Sequence, residues 1–256
     1  MLVQRPSQAD DSAWDQKEMS LTEHLRELRK RLLISVATVF TIAIVMFWPS
    51  QFIIRWLTET YFRGVKLHAF SPADVIFVEF KFSIYAAILI GLPVLLYQAW
   101  MFVVPAVHPR TRRLVYVYVS PSIVLAAAGI AFAHFLVLPR IVHTLLALTT
   151  QLASPTFGIE STLNFIMIIF LAFALIFQTP IVMVALARIG LINSRMLRAY
   201  RKYALFGFFA FGAIVAPDGN PITMAMMAGP MYVLYEVGIW IIALLEKSWR
   251  AVPPAY

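Results

Sequence analysis

Apolar positions in this chain fall in long runs, separated by short segments where charges, prolines and aromatic residues gather. Four runs, Leu32–Trp48, Phe82–Val104, Leu114–Leu138 and Leu163–Ala187, approach the roughly 20 residues that a helix needs to cross a bilayer core. A fifth, Tyr203–Ala216, is short: its 14 residues reach about 21 Å of a core about 30 Å thick. The sixth, Ile222–Leu245, is long enough but is interrupted by Gly229-Pro230 and carries Glu236 near its middle. The pattern predicts an all-α integral membrane protein of six transmembrane helices, with both termini on one side.

The segment joined to the first run, SLTEHLRELRKRLL at Ser20–Leu33, has a different pattern. Ser20 followed by Glu23 has the form of a capping box, which marks a helix start. Leu21, Leu25, Leu28 and Leu32 share one face at spacings of four, three and four, while Glu23, Glu27 and Arg31 stack at i,i+4 on another. With Arg26, Arg29 and Lys30 also present, this helix belongs at a water or headgroup boundary. Residues 1–19 read as a flexible polar tail, 20–247 as the membrane domain and 248–256 as a C-terminal tail.

Composition agrees with the membrane assignment: 61% of residues are hydrophobic and 13% charged. The net charge of +8 comes from basic residues flanking the apolar runs, which places them at lipid headgroups and argues against nucleic-acid binding. Under the six-span scheme, 16 of the 21 basic residues fall on the side of the termini, and Arg55, Arg63, Lys66, Lys81 and Arg140 on the other. The positive-inside rule then makes both termini cytoplasmic. The chain has no cysteine, and its five histidines show no metal-ligand spacing.

The first outer loop, Pro49–Lys81, is expected to hold a short helix near Gln51–Tyr61 and a Ser71-Pro72 turn. The second runs from Pro139 to Thr162 and contains Ser154-Pro155, and Pro217–Pro221 makes spans five and six a tight hairpin. Pro93, Pro121, Pro139, Pro180 and Pro230 lie in or beside apolar runs, where each removes a helical hydrogen bond and favours a kink, giving a curved bundle.

Read in order, EHLRELRKRL (Glu23–Leu32), FSPAD (Phe70–Asp74), LPVLLYQAWMFVVPAV (Leu92–Val107), FAHFLVLP (Phe132–Pro139), RKY (Arg201–Tyr203), IVAPD (Ile214–Asp218) and GPMYVLYE (Gly229–Glu236) resemble the TatC family, the multispanning receptor subunit of the twin-arginine protein translocase. The resemblance implies a prokaryotic cytoplasmic (inner) membrane protein. Such a protein binds the twin-arginine signal peptides of folded precursors at the cytoplasmic face. It recruits single-span subunits of the TatA and TatB type, and transport is driven by the proton-motive force. The absence of a GxxxxGK[ST] loop agrees with that energy source, and no enzymatic activity or cofactor is expected.

Carboxylates hold guanidinium groups through bidentate, charge-assisted hydrogen bonds. Glu27 matches the family's N-terminal glutamate for this contact, with Glu23 one turn earlier and with Arg29. Phe102 matches a family aromatic suited to the apolar part of the peptide. Two positions depart from the family pattern. Thr111, in PAVHPRTRR, replaces a loop glutamate, and a hydroxyl cannot pair with a guanidinium among Arg110, Arg112 and Arg113. Gln178, before Thr179-Pro180, replaces an intramembrane glutamate. It cannot exchange a proton and is expected to face the concave side or to pack helices. Glu236 matches the family's YE pair, with backbone or the Tyr232 hydroxyl as its expected partner. Asp218 is read as a turn residue, and His134 and His143, which straddle Pro139, are not assigned as haem ligands. Membrane lipids are expected partners, and homo-oligomerisation within a larger complex is compatible with the sequence. The competing reading, a small-solute secondary transporter, would call for more paired ionisable groups near the midplane than Gln178 and Glu236 provide.

Overall fold

The structure, a computed structural model, describes residues 21–107, 112–152, 156–188, 190–215 and 221–250. Ser20, Thr111, Ser154-Pro155 and Asp218 lie outside the described residues. Among the described residues, ten α-helices follow one another: α1 (Leu21–Phe47), α2 (Ser50–Tyr61), α3 (Asp74–Val107), α4 (Arg112–Phe132), α5 (Leu138–Leu152), α6 (Ile159–Ile176), α7 (Thr179–Arg188), α8 (Ser194–Ala199), α9 (Arg201–Val215) and α10 (Pro221–Arg250). Two-residue strands, β1 (Leu67–His68) and β2 (Phe157–Gly158), complete the description. Among the described residues, five helical stretches are long and apolar enough to cross a membrane: Glu23–Phe47, Asp74–Phe102, Val117–Ala147, Ile159–Arg188 and Pro221–Lys247. At 15 residues, α9 is as short as its sequence predicts.

The core forms around α6, whose Ile166, Ile169 and Phe173 are fully buried against Val137, Leu138 and Ile141. Helix α1 stays at the edge and lies along α3. Its leucine stripe does not turn inward: Leu25, Leu28 and Leu32 are exposed, as a lipid-facing anchor requires. α4 and α6 approach closely at Gly129, where a Cβ would stand 2.5 Å from the Phe173 carbonyl oxygen. A small residue at that crossing is what lets two membrane helices pack backbone to backbone.

Of two prolines, one departs from the expectation and the other follows it. The outer loop placed at Pro139–Thr162 is largely helix, because Ala133–Val137 forms a π-helical turn that joins α4 to α5 without a stop. In that turn the N–H of Leu138 reaches the carbonyl of Ala133, and Pro139 follows directly. A widened turn accommodates a residue that has no N–H to donate, so the proline is absorbed into the helix. The run Leu163–Ala187 lies within one candidate span, Ile159–Arg188, and kinks between α6 and α7, as its proline predicts. Pro180 cannot donate to the Ile176 carbonyl, and the Thr179 hydroxyl donates to it at 2.6 Å instead. Pro121 and Pro230 sit inside α4 and α10.

At the end of the bundle where α1 stops, α2 lies as a cap, within one residue of its expected start. Ser50, Ile54, Leu57 and Tyr61 face inward, while Trp48, Phe52 and Trp56 are exposed. The Tyr61 hydroxyl and His134 Nδ1 share a 2.5 Å hydrogen bond, which pins α2 to the π-helical turn. Burial pushes the Tyr61 phenol well above its ordinary value. The turn at Ser71-Pro72 leads into α3 as expected, with Asp74 Oδ2 accepting from the N–H groups of Phe70 and Ser71 at 2.8 and 2.9 Å. β1 and β2 pair in parallel, Leu67 opposite Phe157, and clasp together the two connections that precede α3 and α6.

Candidate functional site

The charged turns of α1 meet the far end of α3. His24, Glu27 and Arg31 recur at spacings of three and four, so one stripe of α1 presents all three. On α3, Gln98 and Phe102 are likewise one turn apart. Arg31 joins the two helices: its Nη2 donates to Glu27 Oε1 at 3.1 Å and its Nη1 to Gln98 Oε1 at 3.0 Å. The Glu27 and Arg31 side chains are each only 19% exposed, and Arg31 Nε is buried with no partner among the described residues. One turn away the His24 ring stacks on Phe102, centroids 4.4 Å apart. Arg26, Arg29 and Lys30 point outward, and Glu23 is exposed.

The arrangement is a carboxylate already fitted to a guanidinium, with an aromatic shelf beside it. The sequence-derived residues Glu27 and Phe102 are brought to one place, whereas Arg29 faces away from Gln98. Gln98 was missed, although an amide inside an apolar run is a recognisable signal, since it has to find a polar partner when buried.

A second polar connection crosses the bundle interior. Gln178 is 6% exposed, and its Nε2 donates to the carbonyls of Ser122 and Ala174 at 3.1 and 3.3 Å. Ser122 in turn donates to the Tyr118 carbonyl at 2.7 Å and accepts from Trp100 Nε1 at 3.3 Å. The N–H of Gln178 bonds the Leu175 carbonyl, a one-residue shortening next to Pro180, and its side-chain amide takes up the Ala174 carbonyl that this leaves. Of the two readings of this residue, the geometry is that of the helix-packing amide: Gln178 bridges α4 to the α6–α7 break.

The third contact adds to an expectation. Glu236 does not rely on backbone or Tyr232 alone; its Oε2 accepts from Arg201 Nη2 at 2.6 Å, tying α9 to α10. A cation 35 positions away in sequence has no local signature. Next to it Tyr235 donates to the Leu197 carbonyl at 2.9 Å, and Glu246 accepts from the N–H and hydroxyl of Ser194 at 2.8 and 2.6 Å, so the α7–α9 connection is strapped to α10.

A multispanning helical membrane protein, with a guanidinium-holding carboxylate at one end and a strapped two-helix unit at its C-terminus, is the class that these features define. Residues 23–230 match the family described as TatC, Sec-independent protein translocase protein, and the chain belongs to that family. It is 34% identical over 242 residues to the Sec-independent protein translocase protein TatC of Aquifex aeolicus, covering 93% of this chain and all of that one. It is 32% identical to TatCy of Bacillus subtilis over 88% of this chain and 89% of the relative. Its fold matches a crystal structure described as the twin arginine translocase receptor TatC, with a TM-score of 0.78 and 34% identity over 86% of this chain and 99% of that chain. The protein is therefore a membrane subunit of the Sec-independent translocation machinery, a non-catalytic transport component.

Proposed function

We propose that the chain is the receptor of the twin-arginine translocase, with the Glu27 end facing the cytoplasm and α9 serving as a short sixth span. In this reading it binds the paired arginines of a signal peptide there, and single-span partner subunits assemble on it for transport driven by the proton-motive force. The observation that carries this is the Glu27–Arg31–Gln98 cluster. Glu27 holds an internal guanidinium at 3.1 Å, so a signal-peptide arginine replaces like with like. The displaced Arg31 keeps its 3.0 Å bond to Gln98, which makes the exchange less costly than leaving a buried cation unpaired. Phe102, stacked on His24, offers an apolar surface to the residues following the arginines.

Photocrosslinking of a twin-arginine peptide and its twin-lysine counterpart tests this. Replacing Glu27→Ala reduces capture of the arginine peptide more than Thr111→Ala does, and Thr111→Glu strengthens it by adding a carboxylate among three arginines. Arg31→Leu vacates Glu27 and raises capture by roughly two- to fivefold, the factor carried by an ion pair of about 0.5–1 kcal/mol. Undiminished capture by Glu27→Ala removes the assignment.

A further inference from the structure

At the opposite end of the bundle, about 30 Å along α1 from Glu27, the cap carries a groove that lies apart from the Glu27 cluster. It has an open volume of about 700 Å³ and runs between α2, the turn after it and the start of α6. Its rim carries Arg55, Arg63 and Lys66, with Glu59 as the one carboxylate among its lining residues. Lys81, another cation at this end, is neutralised by Glu160. None of the three rim cations has an ion-pair partner among the described residues. The apolar part of its lining is Val65, Leu67 and Ile159, backed by the buried Ile54 and Phe62. Gly64, at φ +80°, makes the turn that brings Arg63 and Lys66 round to the groove.

Position and charge together select the occupant. Trp48, Phe52 and Trp56 are exposed on and beside α2, which sets this helix in the interfacial layer of a bilayer. A groove at that height meets headgroups, and its net cationic rim above an apolar floor fits a molecule with a phosphate above hydrocarbon. A soluble acidic peptide would use the rim and leave the floor uncovered. We propose that the groove binds an anionic glycerophospholipid of the leaflet at the cap end, its phosphate held by Arg55, Arg63 and Lys66 and its glycerol and upper acyl carbons resting on Val65, Leu67 and Ile159. The lipid fixes the height of the cap in the bilayer, and the proposal stands independently of signal-peptide binding.

Native mass spectrometry of the full chain tests it, using phosphatidylglycerol and phosphatidylcholine with identical acyl chains. The wild type retains phosphatidylglycerol in preference to phosphatidylcholine. The triple variant Arg55→Gln, Arg63→Gln, Lys66→Gln lowers that retention by roughly a hundredfold, the effect of removing three interfacial cations at about fivefold each, since Glu59 is unchanged and cancels. The charge-conserving triple Arg55→Lys, Arg63→Lys, Lys66→Arg keeps it, which separates lost charge from a disturbed cap. Equal retention by the neutral triple, equal retention of both lipids by the wild type, or displacement by millimolar inorganic phosphate or an acidic peptide would each overturn the proposal.

Discussion

Three helical glycines allow one chemical change, the addition of a methyl group, to be compared in three surroundings. In Gly129→Ala the new Cβ stands 2.5 Å from the Phe173 carbonyl oxygen, 3.0 Å from its carbon and 3.1 Å from Phe177 Cβ. An ordinary C···O contact is about 3.3 Å, so α4 and α6 have to separate by about 0.8 Å at their crossing. Overpacking of this kind costs about 1–3 kcal/mol, and the alanine returns about 1 kcal/mol through helix propensity, leaving a net loss of up to about 2 kcal/mol. In Gly238→Ala the contact is with the Met183 thioether end at 2.9 Å, a flexible group that can swing aside, and the two terms nearly cancel. At Gly207 nothing lies within 4 Å, so Gly207→Ala gains up to about 1 kcal/mol. Apparent melting temperature in one detergent, read by loss of monodisperse protein, should therefore rank Gly207→Ala above wild type, Gly238→Ala near it and Gly129→Ala below. Equal shifts in one direction for all three would show that propensity alone governs and that the α4–α6 approach is not a constraint.

Replacing Glu236→Gln or Arg201→Gln should each lower stability, with a double-mutant coupling of about 1 kcal/mol; additive losses would show that the 2.6 Å pair is energetically silent. His134→Phe preserves a ring beside Trp56 but strands the buried Tyr61 hydroxyl, costing about 1–3 kcal/mol, and Tyr61→Phe in that background should recover much of it. Hydrogen exchange across residues 50–61 reports the loosening of α2, and unchanged protection would remove the pinning role. Gln178→Leu ought to be tolerated within about 1 kcal/mol, because one interhelical bond and one local bond are lost while the buried, unpartnered Oε1 is removed; a collapse of folding would mean that the amide is indispensable to the helix break.

Periodicity made much of this legible. The boundary of α2 and the shortness of α9 follow from where apolar runs start and stop, because burial in lipid demands length. The π-helical turn at Ala133–Val137 did not follow, since a proline in sequence announces a missing donor without saying whether the helix stops or widens. The break at Thr179 and the continuity at Pro139 are the same chemistry resolved by different neighbours. At the candidate site, Glu27 and Phe102 stood out through resemblance, and the i,i+4 partner Arg31 through spacing. Gln98 and Arg201 are long-range partners, fixed by helix packing that no local pattern encodes. The lipid-facing leucines of α1 show the remaining ambiguity: an oily stripe states that it avoids water, not whether lipid or protein receives it.

The clasp between β1 and β2 has a consequence for how the protein is made. Leu67 and Phe157 lie 90 positions apart, so the first strand leaves the ribosome long before its partner exists. During elongation at about 5–20 residues per second, Leu67 and His68 wait on the order of 5–20 seconds with their backbone groups unclaimed. In that interval α3, α4 and α5 are already being laid into the bilayer. The cap is thus a late closure, completed only when α6 begins, and a nascent chain stalled before Phe157 would carry its spans without it.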